Sequence, residues 1–181
     1  MPSVIYLGGS RVMSSALLPA VQAVVMRASS SLICVGCATG ADQAVIQSAI
    51  AQGSIISIFA AFAQSGAGSF SGSAVSVVQA AAHAPGVSVS WLAGGSLQVP
   101  LVARLMARSV AGLRGASCAL FFAPGVGSLK VAGYAVAHSV PVHAVCLVAT
   151  ALPRGQAGYW SQSGQVAGFP IWSFVPAQLS F

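Results

Sequence analysis

Short apolar runs alternate with helix-like segments along most of this chain, and this alternation restricts the possible folds more than any other feature. The runs at residues 4–7, 32–35, 55–59, 87–91, 117–122 and 140–147 have the lengths and residue types of buried strands. Segments of 10 to 14 residues with helical spacing of apolar residues separate them, at 14–27, 40–51, 74–83, 100–113 and 129–138. Helices of that length connect parallel strands, so the sequence predicts an α/β fold with a mostly parallel sheet of about six strands.

Glycine-rich turns follow the first, second, fourth and fifth predicted strands. In a parallel sheet these turns lie at one edge, outside the carboxyl ends of the strands, where ligands bind in folds of this kind. Each turn precedes a helix, whose first N–H groups and positive dipole end attract anions. We therefore expect a site for a phosphate-bearing ligand along this edge, with Arg11 projecting from the first turn.

The turn at residues 36–42 (GCATGAD) holds Asp42, the only carboxylate side chain in the sequence. Thr39 and Asp42 have the spacing of a capping box, in which Thr39 is the N-cap of the following helix. The glycines of the same turn allow the backbone to approach a ligand closely. The capping and ligand-binding interpretations are compatible, and both stay open.

Charge is scarce and unbalanced. Hydrophobic residues make up 56% of the 181 residues and charged residues 4%, and the net charge is +6, which indicates an anionic partner. No apolar run reaches the roughly 18 residues of a membrane-spanning helix, and the N-terminus lacks the segments of a signal peptide. We expect a cytoplasmic protein without membrane contact, and a homo-oligomer because so apolar a surface favours self-association.

The cysteines and histidines do not form a recognisable reactive set. The spacing of Cys34 and Cys37 places them on opposite strand faces, and Cys118 and Cys146 stand alone in other strands. The sequence therefore predicts no metal site and no cofactor. The three histidines lie on elements separate from Asp42, so we assign no catalytic residue.

Two segments fall outside the alternation. Residues 64–73 are rich in Gly, Ser and Ala, and we interpret them as a connector rather than a flap over a ligand. Residues 151–181 are rich in Gly, Gln and Ser and become apolar at 169–175. We expect this C-terminal extension to pack on the domain formed by residues 1–150 or on a neighbouring subunit, or to pair as an edge strand.

Five segments in this order resemble the SLOG superfamily: Gly8-Gly9-Ser10-Arg11, GCATGAD at 36–42, PLVARLMAR at 100–108, GVGSL at 125–129 and PVHAV at 141–145. This superfamily includes the DNA-processing protein A family, the cytokinin-activating phosphoribohydrolases and nucleotide-sensing domains. The resemblance covers about residues 3–147 and implies a Rossmann-like three-layer sandwich that binds a nucleotide-type small molecule. The binding residues that it implies are Gly8, Gly9, Ser10, Arg11, Gly36, Thr39, Gly40, Asp42, Arg104, Arg108, Gly125, Gly127 and Ser128.

The chain departs from the phosphoribohydrolases at their catalytic position. Those enzymes carry Pro-Gly-Gly-x-Gly-Thr-x-x-Glu, whose glutamate serves cleavage of the glycosidic bond, whereas residues 124–131 read PGVGSLKV. Cleavage of such bonds generally needs two carboxylates, and this chain has one. The sequence therefore favours binding without turnover, in a sensor or scaffold.

Two alternatives stay open. The DNA-processing family implies binding of single-stranded nucleic acid, with Arg104, Arg108, Arg114 and Lys130 as a basic track. A nucleoside-monophosphate phosphoribohydrolase is the second alternative, and it requires an acid group from a second chain or from the ligand.

Overall fold

The computed structural model of the protein describes residues 3–149 and 151–177. Met1, Pro2, Thr150 and the last four residues belong to the predicted segments 1–150 and 151–181 but lie outside the described residues. The strands are β1 (Val4–Gly9), β2 (Leu32–Val35), β3 (Ile56–Phe59), β4 (Val87–Ser90), β5 (Cys118–Phe122), β6 (Val142–Val145), β7 (Gly158–Val166) and β8 (Phe169–Pro176). The helices are α1 (Leu18–Arg27), α2 (Ala41–Ala51), α3 (Gly72–Ala81), α4 (Leu101–Leu113) and α5 (Val126–Ala137), and a short 3-10 turn (Ser15–Leu17) precedes α1.

All of these strands form one sheet in the order β4-β3-β2-β1-β5-β6-β8-β7. The strands from β1 to β6 pair in parallel, whereas β8 is antiparallel to both β6 and β7. The predicted α/β class and mostly parallel sheet are therefore confirmed. The sheet has eight strands rather than about six, because the tail adds two.

The tail forms a hairpin that extends this sheet beyond β6. Val166 pairs with Phe169, so the turn consists of Ala167 and Gly168, whose φ angles of 47° and 82° match the twist of the strands that they connect. β8 continues the sheet through the pairing of its residue Trp172 with Ala144 in β6. The boundary at residue 150 stays a prediction.

A hydrophobic core covers each face of the central strands, and neighbouring residues of a strand point to opposite sides. Leu7 belongs to the core that also contains the buried residues of α1, α2 and α3. Its neighbour Tyr6 belongs to the second core, with the buried residues of α5 and Leu113 of α4.

In the described ranges, no helix is long and apolar enough to span a membrane.

The strand order reverses next to β1. The chain moves from β1 outward to β4 and then returns to place β5 against the other side of β1. The helices that follow β1 and β5 therefore leave on opposite faces of the sheet, which opens a crevice between the carboxyl ends of these two strands.

The start of α2 differs from the predicted capping box, which is wrong. The N-cap is Gly40, with a φ of 72° that favours glycine, and Thr39 instead donates a hydrogen bond to the carbonyl of Arg11 at 3.3 Å. Oδ2 of Asp42 accepts from the N–H of Ala38 at 2.9 Å. The two side chains thus stabilise the turns before α1 and α2 rather than capping a helix together.

Candidate ligand-binding site

A cavity of 770 Å³ occupies the crevice at the carboxyl ends of β1 and β5. Its rim consists of the turn after β1, the first turn of α4 and the first turn of α5. Its inner wall includes Tyr6 from β1, Phe121 from β5, and Leu105, Met106 and Arg108 from α4. The sequence-predicted edge of the sheet thus contains a space large enough for a small ligand.

Most of the predicted binding residues line this cavity. They come from the end of β1 and the turn after it, from the starts of α2 and α5 and from α4, and they are Gly9, Ser10, Arg11, Asp42, Arg108, Gly125, Gly127 and Ser128. Ser128 donates a hydrogen bond to the carbonyl of Gly9 at 2.7 Å, which joins the first turn of α5 to the end of β1.

The other predicted residues, Gly8, Gly36, Thr39, Gly40 and Arg104, do not line the cavity as the described part of the chain forms it. Thr39 and Gly40 support the turn after β1. Thr39 donates to the carbonyl of Arg11, and the N–H of Ala41, next to Gly40, donates to the carbonyl of Ser10 at 2.9 Å. Gly36 lies directly beneath the guanidinium group of Arg108.

Arg104 connects two loops instead of facing the cavity. It is buried, and its guanidinium group donates to the carbonyls of Ala61, Gly68 at 3.0 Å and Val99 at 3.0 Å. The first two acceptors belong to the loop between β3 and α3, and the third precedes α4. One side chain therefore fixes both loops to α4.

Arg108 and Asp42 form a buried ion pair in the wall of the cavity. Nη1 of Arg108 lies 3.1 Å from Oδ2 of Asp42, and the two residues are 5% and 3% exposed. Burial alone would lower the pKa of Arg108, but the carboxylate of Asp42 raises it, and the net shift is upward, so the guanidinium stays charged. Nε of Arg108 is buried and has no hydrogen-bond partner within residues 3–149 and 151–177.

The N-termini of two helices open into the cavity. The first intrahelical bond of α4 is donated by the N–H of Arg104 to Pro100, and that of α5 by Leu129 to Gly125, both within 3.0 Å. The three N–H groups before each bond have no partner within their helix. Among the described residues, no side chain caps either helix. Both positive dipole ends therefore act on the same space.

Two exposed cations stand at the rim of the cavity, Arg11 in the turn after β1 and Lys130 in α5. The guanidinium carbon of Arg11 lies 5.9 Å from the centre of the Phe70 ring, a distance typical of a cation–π contact. The only carboxylate at the cavity, that of Asp42, is already paired with Arg108. The local charge is therefore positive.

The inner wall of the cavity was not predicted from the sequence. Tyr6 and Phe121 follow the pattern of buried strands, which does not indicate which buried residues border a cavity. Burial raises the pKa of Tyr6 to about 12, so its hydroxyl group stays protonated. Val102 and Val126 could have been predicted as rim residues, because each lies in the first turn of a helix that follows a glycine-rich or proline-terminated loop.

No three His, Cys, Asp or Glu side chains lie together as a metal site within the described part of the chain. Burial raises the pKa of the thiols of Cys34 and Cys37, which disfavours the reactive thiolate form. Oδ2 of Asp42 is held by Arg108 and by the backbone of Ala38. The cavity therefore offers hydrogen-bond donors and positive charge to a ligand.

This chain matches a known protein by its fold but not by its sequence. No family model and no curated protein matches this chain. The fold matches the X-ray structure of DNA processing protein A (DprA) from Streptococcus pneumoniae with a TM-score of 0.61 and 20% sequence identity. The chain therefore has a Rossmann-like fold similar to that of this structure. The match covers 78% of this chain and 49% of that protein, so this chain spans about half of its length.

Proposed function

We propose that the cavity binds a phosphate-bearing small molecule of the nucleotide class and does not turn it over. The observation that carries this proposal is the convergence of two helix N-termini and two exposed cations, Arg11 and Lys130, on one cavity. Backbone N–H groups at a helix N-terminus are a general means of binding phosphate. The fold supports the proposal, because ligands of such sheets bind where the strand order reverses.

The phosphate lies at the first turn of α5 in this proposal. The N–H groups of Val126, Gly127 and Ser128 precede the first bond of that helix, and Lys130 follows on the exposed side. Arg11 stands across the rim. The buried Arg108 adds charge from below but remains with Asp42, so it contributes to the field rather than to a direct contact.

Binding without turnover follows from the state of Asp42. Cleavage of a glycosidic bond needs one carboxyl group to donate a proton and a second group to stabilise the cationic centre. Asp42 is the only carboxylate side chain of the sequence, and Arg108 and Ala38 already hold one of its oxygens. We therefore propose a sensor or a scaffold in which a bound ligand is the signal.

The sharpest test removes a single N–H group from the first turn of α5. Val126 is the first residue of the helix, where proline fits the backbone, and Gly125 before it has an extended conformation that proline accepts. Val126→Pro should therefore fold normally but bind phosphate less well. We expect calorimetry with AMP to show a dissociation constant about tenfold higher, since a hydrogen bond to a charged group contributes about 1.5–3 kcal/mol.

Matched variants separate the causes. Val126→Ala keeps the N–H group and should bind like the parent, whereas Lys130→Ala should lose about tenfold in affinity through charge. Arg27→Ala removes an equal charge from the exposed end of α1 and should have no effect. If AMP, ADP and inorganic phosphate all fail to bind, or if Val126→Pro and Lys130→Ala bind like the parent, the proposal is wrong.

A single-stranded nucleic acid is the second candidate, and the likeness of fold to DNA processing protein A favours it. Arg11, its aromatic neighbour Phe70 and Lys130 would then contact successive nucleotides along the rim. Binding of a fluorescent 20-nucleotide oligomer should weaken steeply with salt, by a slope of about −0.7 for each phosphate contact in a plot of log K against log salt. A mononucleotide ligand predicts a much smaller slope and no gain in affinity with oligomer length.

Self-association in the cytoplasm belongs to the same proposal. Leu147 and Val148 are exposed beside the carboxyl end of β6, which supports a contact between copies at this end of the sheet. Light scattering at increasing concentration should then give a mass above that of the 17.9 kDa chain.

A further inference from the structure

Several of the polar side chains that line the cavity are already engaged with the protein. Oγ of Ser10 accepts from the N–H of Val12 at 3.1 Å, and Oγ of Ser109 donates to the carbonyl of Leu105 at 3.0 Å. Oγ of Ser128 donates to Gly9, and Oδ2 of Asp42 accepts from Arg108, as described above. Few side-chain acceptors therefore remain for a ligand.

Most of the groups that remain are donors suited to phosphate. They are the guanidinium group of Arg11, the ammonium group of Lys130 and the free N–H groups at the starts of α4 and α5. The sequence contains no Asn and no Glu, and no Gln side chain lines the cavity as the described residues form it. Reading the edge of a nucleobase needs side chains that both donate and accept, such as amides and carboxylates.

The rest of the wall is apolar. Leu105, Met106 and Val131 line the interior with the rings of Tyr6 and Phe121. An apolar wall of this kind binds flat or apolar groups by contact area rather than by hydrogen bonds.

The rim is apolar as well, and it is exposed. Val12, Val102 and Val126 come from three different elements, line the same cavity and are 90%, 74% and 72% exposed. Exposed β-branched side chains gathered at one opening indicate a surface that a ligand covers.

We infer that the cavity selects a phosphate joined to an aromatic or apolar group and does not distinguish among nucleobases. This inference rests on the proposed function and specifies its ligand class. The helix N-termini and rim cations bind the phosphate, and the side chains around Met106 cover the flat group. As the described residues form it, the cavity is lined by no amide side chain and by one carboxylate, which is paired with Arg108, so the hydrogen-bonding pattern of the base contributes little to affinity.

Calorimetry with six phosphate esters tests this inference. The four nucleoside monophosphates AMP, GMP, CMP and UMP should bind within about threefold of one another, and 1-naphthyl phosphate, which has no base edge, should bind in the same range. Ribose 5-phosphate, which lacks the flat group, should bind at least about tenfold more weakly. Inorganic phosphate serves as the probe for the phosphate site alone.

A pair of methionine variants locates the apolar contact. Met106→Gln should weaken AMP and 1-naphthyl phosphate by about tenfold and leave ribose 5-phosphate unchanged. Met26→Gln, at an exposed position of α1 away from the cavity, should change none of these affinities. Met106 is half-buried, and a thermal melt of both variants shows whether the fold is retained.

The outcomes distinguish this inference from the function on which it rests. A preference above about tenfold for one base, or equal affinity for AMP and ribose 5-phosphate, overturns the inference while the phosphate site stands. Failure of every ester and of inorganic phosphate overturns the proposed function itself. If Met106→Gln does not fold, the comparison of the six esters on the parent protein still decides between these outcomes.

Discussion

Gly36→Ala should disrupt the buried pair of Arg108 and Asp42, although it adds only one methyl group. A Cβ atom at position 36 would overlap Nη1 of Arg108 and would also contact Oδ2 of Asp42. Both residues are at least nine-tenths buried, so neither charge can move into water without opening the core. Breaking a buried ion pair typically costs about 3–5 kcal/mol of folding free energy.

Guanidinium chloride unfolding, followed by tryptophan fluorescence, should show this loss directly. For a chain of this length the same loss lowers the melting temperature by about 6–20 °C, at roughly 2–4 °C for each kcal/mol. Gly72→Ala is the matched control, because a Cβ atom at the start of α3 meets open space. That variant should match or slightly exceed the parent in stability.

A double-mutant cycle separates this mechanism from a general intolerance of Gly36. In the Arg108→Ala/Asp42→Ala background the overlapping groups are gone, so Gly36→Ala should cost less than about 0.5 kcal/mol. If the loss is the same in both backgrounds, or if Gly36→Ala alone stays within about 1 kcal/mol of the parent, the reasoning from the ion pair is refuted.

Two further predictions concern Arg104 and His143. Arg104→Lys should lower the free energy of unfolding by about 3 kcal/mol and speed hydrogen exchange at residues 61–68, because one ammonium group cannot reach three separate carbonyls. Arg114→Lys, at an exposed position, should change neither quantity. Unchanged exchange in Arg104→Lys would contradict the role of Arg104 in connecting the loops. Burial lowers the pKa of His143 below its ordinary value, so the unfolded chain takes up the proton first and the protein should lose stability as the pH falls below about 6.5. His143→Gln should make the unfolding midpoint less dependent on pH between 5 and 8, and an identical pH profile for both proteins would argue against this.

The sequence predicted the parallel part of the fold well, because buried strands and their helices leave local patterns. The run at residues 32–35 matches β2, and the predicted helix at 100–113 matches α4 within one residue. The start of α5 was predicted three residues late, since Gly127 and Ser128 resemble a turn in sequence but form the first helical turn. The strands and helices that are encoded by patterns of neighbouring residues were therefore predicted.

The hairpin and the wall of the cavity were harder to predict. β7 is an exposed edge strand with Ser or Gln at four of its nine positions and Gly at two, so it lacks the apolar alternation of a half-buried strand. Its turn uses Ala167, which is an unusual residue at a positive φ. Likewise, Asp42 pairs with a residue 66 positions away, and no local pattern encodes such a contact.

Arg104 and Arg108 were predicted to have the same role, because they too have partners that lie far away in the sequence. Both lie on the inward side of α4, one turn apart, and the sequence gives no reason to separate them. The structure separates them by what lies opposite each: three carbonyl groups for Arg104 and one carboxylate for Arg108.

This arrangement makes α4 a mechanical link. Through Arg104, α4 holds the loop before α3 and the loop after β4. Through Arg108, the same helix holds the wall of the cavity. Because both guanidinium groups project from the same helix, a displacement of α4 would change the contacts of Arg104 with the loops and those of Arg108 with Asp42 together.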